Sequence, residues 1–134
     1  MKHLLKILIF MCISAPALAD EIKYIPNKFI GAWADSIRTC RTKEPTGDYM
    51  LLVKIKPTKL EGQYVESSFT YTPIHIESHG INGSILNTAG KMAPYYDEDG
   101  ADQQKPTIEN MVLFLKNGGL YILPQSENKL IKCS

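Results

Sequence analysis

Hydrophobic and polar residues alternate in short runs along most of the chain after residue 20, and Gly, Pro, Asn and Asp separate the runs. Such alternation is typical of half-buried β-strands, in which successive side chains point to opposite faces. It is clearest in Tyr49–Lys56, where Leu51, Val53 and Ile55 share one face. No sustained helical period appears, so the sequence predicts strands and turns.

Eight or nine strands are expected, with turn residues every 8–12 positions. The predicted strands are Phe29–Ala34, Tyr49–Lys56, Leu60–Val65, Ser67–Thr72, Ile74–Ser78, Ile81–Asn87, Thr107–Leu115, Leu120–Leu123 and Leu130–Cys133. The polar segment Asp35–Asp48 is interpreted as a loop. The fold class that follows is all-β, a small antiparallel barrel or sandwich of about eight strands.

Large apolar residues on the predicted inner faces indicate an interior filled by side chains. These residues are Leu51, Val53, Ile55, Phe69, Tyr71, Ile74, Ile76, Val112 and Phe114. An eight-stranded barrel has only enough interior for its own side chains or for one small ligand. The pattern therefore favours a packed interior over a ligand cavity.

Residues 1–19 have the features of a secretory signal peptide. Lys2 and Lys6 precede the uncharged stretch Ile7–Ala15, and Ala17-Leu18-Ala19 matches the small-x-small pattern of a cleavage site. A membrane anchor is the alternative, but nine residues at 1.5 Å each cannot span about 30 Å of hydrocarbon. We expect an exported protein, periplasmic or secreted, with a single domain over residues 20–134.

Two cysteines, Cys40 and Cys133, remain after removal of Cys12 with the signal segment. An even pair in an exported chain predicts one structural disulfide. Metal binding or a redox pair is the alternative. Neither is favoured, because the chain has no C-x-x-C motif and no helix start is predicted beside either cysteine.

The charge balance limits the classes of partner. The full chain has 15 Lys and Arg and 14 Asp and Glu, and loss of Lys2 and Lys6 leaves a net charge of −1. Nucleic-acid binding and binding to membranes through a polybasic surface both need a basic surplus. The total charge therefore argues against both classes, and nothing in the sequence predicts a cofactor.

The segment Phe29-Ile30-Gly31-Ala32-Trp33 resembles the G-x-W opening of lipocalin and avidin barrels. The resemblance implies a β-barrel in which Gly31 allows a close approach and Trp33 plugs one end. A C-terminal cysteine joined to an earlier segment is also similar to many lipocalins. The resemblance covers about five residues and the number of strands, and it carries over no ligand-binding residues. Without it, Trp33 would be interpreted simply as a core residue.

A second candidate is the segment His75-Ile76-Glu77-Ser78-His79. In a strand, His75, Glu77 and His79 would share one face, opposite Ile74 and Ile76. Imidazole and carboxylate groups suit zinc, but the two histidines would lie about 13 Å apart in an extended strand. The three residues are therefore weak metal candidates, and a solvated polar face is the favoured interpretation.

A third candidate is an acidic segment that also bears tyrosines. Its members are Tyr95, Tyr96, Asp97, Glu98, Asp99 and Asp102. The spacing of Gly100 and Ile108 does not fit an EF-hand. A solvated hairpin tip, weak calcium binding and a protein interface remain as interpretations. As an interface, the acidic residues would steer a basic partner and the tyrosines would supply contact area.

No catalytic motif supports an enzyme, since the chain lacks G-x-S-x-G and a free cysteine after pairing. We therefore expect a non-enzymatic protein. The leading hypothesis is an inhibitor or immunity-type protein that blocks an enzyme or toxin acting on the cell envelope. The alternatives are a lipocalin-like carrier of a small apolar ligand and a structural or stress protein of the envelope.

Overall fold

A computed structural model describes residues 20–44, 51–65, 67–96 and 105–133. It contains a short helix α1 (Ile37–Thr42), 3-10 helices at Asn27–Phe29 and Ile81–Gly83, and nine strands. The strands are β1 (Asp20–Ile22), β2 (Gly31–Ala34), β3 (Leu52–Ile55), β4 (Leu60–Gln63), β5 (Ser67–His79), β6 (Ile85–Tyr96), β7 (Thr107–Lys116), β8 (Gly119–Leu123) and β9 (Ser126–Lys132). The expected signal segment, residues 1–19, lies outside this part.

Eight of the strands form a closed antiparallel barrel. Their order is β5-β4-β3-β2-β9-β8-β7-β6, and β6 pairs with β5 to complete the ring. The first strand, β1, lies outside the ring and pairs with the last third of β5, with Asp20 opposite Ser78. The predicted all-β fold is confirmed, and it is a barrel rather than a sandwich.

Strand β5 is continuous where the sequence predicted two strands. A β-bulge between Pro73 and His75 places Ile74 as an extra residue in the pairing with β6. The predicted inward position of Ile74 is therefore wrong, and 64% of this residue is exposed. Beyond the bulge, β5 pairs again with β6 from His75 onward, and the side chain of Ile76 is buried.

The barrel interior is packed with apolar side chains. The buried cluster comprises Ile25, Phe29, Trp33, Leu51, Val53, Ile55, Leu60, Phe69, Tyr71, Ile76, Leu86, Met92, Met111, Leu113, Leu120, Ile122 and Leu130. The inward predictions for Val112 and Phe114 are wrong, because β7 instead buries Met111 and Leu113. The Phe114 ring stacks outside the barrel on Tyr121, with the ring centroids 4.8 Å apart.

One end of the barrel is closed by the first 3-10 helix, which buries Phe29 completely. Trp33 is only 4% exposed, and its indole N–H donates to the Phe29 carbonyl oxygen at 2.9 Å. The Lys132 ammonium lies 5.8 Å from the centre of the Trp33 ring. Trp33 thus packs beside Phe29, the residue that closes this end.

The segment after β2, which was predicted to be a loop, contains helix α1. The Ser36 hydroxyl caps this helix by accepting a hydrogen bond from the Thr39 N–H at 3.1 Å. A helix of six residues is too short to produce a helical period in the sequence. Over the ranges described, no helix is long and apolar enough to cross a membrane.

The predicted disulfide is confirmed. Cys40, in α1, bonds to Cys133, just after β9, and the two Cα atoms lie 5.3 Å apart. The absence of a helix start near Cys40 was a wrong premise, since α1 begins three residues before it. The Cys133 N–H also donates to the Ala32 carbonyl oxygen at 2.8 Å. The disulfide to α1 and this hydrogen bond to β2 therefore both fix the position of Cys133.

Candidate functional site

A hollow of about 290 Å³ lies at the end of the barrel opposite the 3-10 helices, which we call the open end. The connections β4–β5, β6–β7 and β8–β9 all lie at this end. The hollow is lined by Tyr64, Ser67, Ser68, Phe69, Met92, Pro94, Lys105, Thr107, Glu109 and Gln125. It arises because β5, β6 and β7 bring their end residues around a space that the buried cluster does not fill.

The floor of the hollow is formed by apolar side chains. Phe69 and Met92 are buried core residues that also face this space. The Phe69 ring packs closely against Gly62, where a Cβ atom would come within 2.1 Å of the ring. An inserted apolar group would therefore meet a preformed apolar surface.

A buried hydrogen-bond network lies directly beneath this floor. The Tyr71 hydroxyl lies 2.8 Å from the Thr88 hydroxyl and donates to the Glu109 carbonyl oxygen at 3.1 Å. The Thr88 hydroxyl donates to the Met111 carbonyl oxygen at 2.8 Å. Burial raises the pKa of Tyr71, which keeps its hydroxyl protonated. The network links β5, β6 and β7 below the hollow.

The rim of the hollow is polar and partly fixed by hydrogen bonds. The Tyr64 hydroxyl lies 3.1 Å from the Gln125 carbonyl oxygen and 3.2 Å from its side-chain oxygen, to both of which it donates. Burial raises the pKa of Tyr64. The Thr107 hydroxyl donates to the Glu109 carboxylate at 3.1 Å. The hollow can therefore hold an apolar group and hydrogen-bond its polar attachments, as small binding sites do.

The acidic segment joins β6 and β7, two of the strands that border the hollow. Tyr95 and Tyr96 form the last two residues of β6. Their side chains, together with Asp97, Glu98, Asp99 and Asp102, lie outside the described part of the structure. The prediction that they bind a partner therefore stays a prediction.

His75 and His79 lie on the outer face of β5 and bracket Glu77. His75 Nε2 lies 3.0 Å from Glu77 Oε1, and His79 Nε2 lies 3.3 Å from Glu77 Oε2. His75 Nδ1 lies 3.1 Å from the carboxylate of Glu21, which stands opposite Glu77 on β1. The predicted shared face is thus observed, and Glu21 joins it because β1 pairs with β5.

These contacts form a histidine–carboxylate cluster on the outer face of the barrel. Within residues 20–44, 51–65, 67–96 and 105–133, no three His, Cys, Asp or Glu side chains are arranged to hold a metal ion. The hydrogen bond to Glu77 raises the pKa of His75, aided by the negative charge of Glu21. The hydrogen bond from His75, followed by that from His79, lowers the pKa of Glu77. Because His75 contacts Glu21 of β1 as well as Glu77 of β5, the cluster joins β1 to the barrel through electrostatic attraction.

We expect the stabilising effect of this cluster to depend on pH. The raised pKa of His75 gives stability that is complete below its ordinary value of 6.5 and is lost as the pH rises through the folded-state value. The lowered pKa of Glu77 gives stability that is complete above 4.5 and is lost as the pH falls through the folded-state value. Glu77→Gln should therefore lower the melting temperature most between pH 4.5 and 6.5.

Thermal unfolding from pH 3.5 to 8.5 would measure this difference. Glu44→Gln is the matched control, because it removes one exposed carboxylate far along the chain from the cluster. A difference between Glu77→Gln and the unmodified protein that stays constant with pH would contradict the linkage.

Comparison with known proteins identifies no relative. No family model matches the chain, and neither the curated proteins nor the solved structures contain a match.

The hollow was not predicted from the sequence, although β7 contains a signal for it. Thr107 and Glu109 are in the same alternating register as the buried Met111 and Leu113. Polar residues at inward positions near a strand end indicate that the interior opens to solvent there. With Val112 and Phe114 predicted to face inward, Thr107 and Glu109 fall on the predicted outer face of β7, and the signal is lost.

Proposed function

We propose that the protein is an exported, non-enzymatic binding protein of the inhibitor or immunity type. In this proposal it blocks an enzyme or toxin that acts on the cell envelope by receiving one of its side chains at the open end. The observation that carries the proposal is the hollow of about 290 Å³, with its apolar floor and its polar, hydrogen-bonded rim. A buried anchor surrounded by polar contacts is the usual arrangement of a strong protein interface.

The size of the hollow favours an inserted side chain over a complete small ligand. Typical ligand pockets measure roughly 300–1,000 Å³ and enclose most of the ligand. The hollow lies at the lower limit of this range, and Tyr71 and Met111 fill the barrel immediately below it. A lipocalin-like carrier of a small apolar ligand is the second candidate, supported by the closed barrel and by Gly31 and Trp33 on β2.

Two further features support the proposed compartment and partner. A disulfide is typical of proteins in oxidising compartments, which agrees with a signal peptide over residues 1–19. The acidic segment from Asp97 to Asp102 connects two of the strands that border the hollow, and its charge would accelerate the approach of a basic partner.

Filling the hollow should weaken partner binding. Thr107→Trp places a large side chain on the inner face at the start of β7, where Thr107 lines the hollow. We expect at least a tenfold loss of affinity, or about 1.4 kcal/mol, because the anchor of the partner would be excluded. Isothermal titration calorimetry with the isolated partner would measure this loss.

Asn110→Trp is the matched control, since Asn110 is exposed on the same strand and in the opposite register. Both variants should unfold at similar temperatures. Equal affinities for Thr107→Trp and Asn110→Trp would remove the hollow from the interface.

The partner can be identified by native mass spectrometry of the tagged protein, purified gently from its own envelope extract. An added protein mass would support the inhibitor or immunity function and supply the partner for calorimetry. An added mass of a few hundred daltons would instead support the carrier. The bare mass, from challenged and unchallenged cells alike, would favour a structural or stress protein of the envelope.

A further inference from the structure

The closed end of the barrel, opposite the hollow, concentrates positive charge that the total charge conceals. Its lysines come from four separate segments, namely the first 3-10 helix, the β3–β4 turn, the end of β7 and the end of β9. They are Lys28, Lys56, Lys59, Lys116 and Lys132. These positions are far apart in the sequence, so only the fold shows that they share one end.

Hydrogen bonds hold these segments against one another. The Lys28 ammonium donates to the carbonyl oxygen of Asn82, which joins the two 3-10 helices. The Ile25 N–H donates to the Pro57 carbonyl oxygen at 2.9 Å, and this bond places the β3–β4 turn beside the first 3-10 helix. The Leu115 N–H donates to the Ser84 carbonyl oxygen at 2.9 Å, which brings the end of β7 to the same place.

Few described acidic groups offset these lysines. Glu61 lies 3.3 Å from the Lys56 ammonium and 3.0 Å from the Lys59 ammonium, so one carboxylate is shared between two cations. Asp20, Glu21 and Glu77 border the closed end on the β1–β5 side, where Glu21 and Glu77 contact His75. Five lysines against Glu61 leave four positive charges on the lysine-bearing segments, and Asp20, Glu21 and Glu77 at the border reduce the surplus of the whole end to one.

An exposed apolar residue stands among these cations. Ile81, in the second 3-10 helix, is 85% exposed, and it adjoins Asn82, which accepts the hydrogen bond from Lys28. Lysines around an exposed isoleucine suit the interface of a bilayer, where cations meet anionic headgroups and apolar groups enter the acyl boundary. A nucleic-acid backbone would use the cations and leave Ile81 in water.

We propose that the closed end binds the surface of an anionic lipid bilayer, with the lysines on the headgroups and Ile81 inserted between them. This inference goes beyond the proposed function and uses the opposite end of the barrel. The membrane would orient the molecule so that the hollow faces away from it. Failure of either proposal leaves the other standing, because the two surfaces share no residue.

Vesicle sedimentation would test the proposal on the chain from Asp20 to Ser134, in which the apolar N-terminal segment cannot contribute. We expect binding to phosphatidylglycerol vesicles in 50 mM salt, and weak binding to phosphatidylcholine vesicles or in 500 mM salt. Each lysine near such a surface contributes about fivefold in binding. The double variant Lys56→Gln, Lys116→Gln should therefore bind roughly 25-fold more weakly.

Two control variants separate this surface from the rest of the molecule. Lys91→Gln with Lys105→Gln removes the same charge from the open end, where Lys91 pairs with Ile108 and Lys105 lines the hollow, and should leave vesicle binding within about twofold. Ile81→Ser should weaken binding roughly tenfold, whereas Ile108→Ser, at a residue 65% exposed on β7, should not.

Three results would overturn the proposal. The first is a lack of binding to anionic vesicles in 50 mM salt. The second is an equal loss of vesicle binding from the open-end pair (Lys91, Lys105) and the closed-end pair (Lys56, Lys116). The third is unchanged vesicle binding in Ile81→Ser together with equally tight binding to a DNA duplex, which would identify a general polyanion surface.

Discussion

Replacing both Cys40 and Cys133 with serine is expected to lower the free energy of unfolding by about 4–5 kcal/mol. The disulfide joins residues 93 apart and so restricts almost the whole unfolded chain. A domain of this size buries too little surface to tolerate such a loss easily, because typical stabilities are only about 5–15 kcal/mol. Urea unfolding of the chain from Asp20 would measure the change through the midpoint and slope.

Reduction of the unmodified chain by dithiothreitol is the matched control. The reduced chain and the double serine variant should unfold at the same urea concentration, since both lack only the covalent link. The hydrogen bond from the Cys133 N–H to Ala32 and the pairing of β2 with β9 do not need the sulfur atoms. A decrease of less than about 1 kcal/mol in the free energy of unfolding would show that these contacts hold the end of the chain in place without the disulfide.

The second large effect is expected from Gly90→Ala, at about 2–3 kcal/mol of destabilisation. Gly90 lies opposite Pro73, at the β-bulge of β5. A Cβ atom at this position would lie 2.4 Å from the Thr72 carbonyl oxygen and 2.7 Å from the Pro73 Cα. These are backbone atoms, so the clash is relieved only by separating β5 from β6.

Asn87→Ala provides the comparison for Gly90→Ala, because it changes an exposed residue of the same strand. It should alter the free energy of unfolding by no more than about 0.5 kcal/mol. Equal denaturation curves for Gly90→Ala and Asn87→Ala would mean that the bulge accommodates a side chain.

The barrel and its disulfide were predictable because each follows from a simple sequence pattern. The pattern for the barrel is the alternation of polar and apolar residues, and the pattern for the disulfide is the even number of cysteines. Alternation located β3, β4, β7 and β8 within a few residues, and the even cysteine count predicted the pairing. The inner face of β7 was not predictable in this way. All residues from Met111 to Leu115 are apolar, so alternation could not determine which of them face inward.

Other differences come from structure that is decided by contacts distant in the sequence. The three residues of β1 form a strand only because β5 extends beyond β4 and offers a free edge. Strand β6 continues through Gly90, Lys91 and Pro94, which have low strand propensity, because β5 pairs with it to its end and β7 pairs with it as far as Met92. The hollow and the basic closed end are likewise formed by segments that are distant in the sequence. The order of residues alone therefore predicts neither of them.

The pairing of β2 with β9 has a consequence for the order in which the molecule assembles. Closure of the barrel joins the first strand of the ring to the last, so the ring stays open until residues 126–132 are available. Contacts between the two ends of a chain form slowly. The chain must first lose the conformational entropy of closing a long loop, and only then do the new contacts stabilise it. A chain emerging N-terminus first into another compartment would therefore remain unclosed until its final strand arrives. Until then, β2 and β8 would each present an unpaired edge that can pair with another chain.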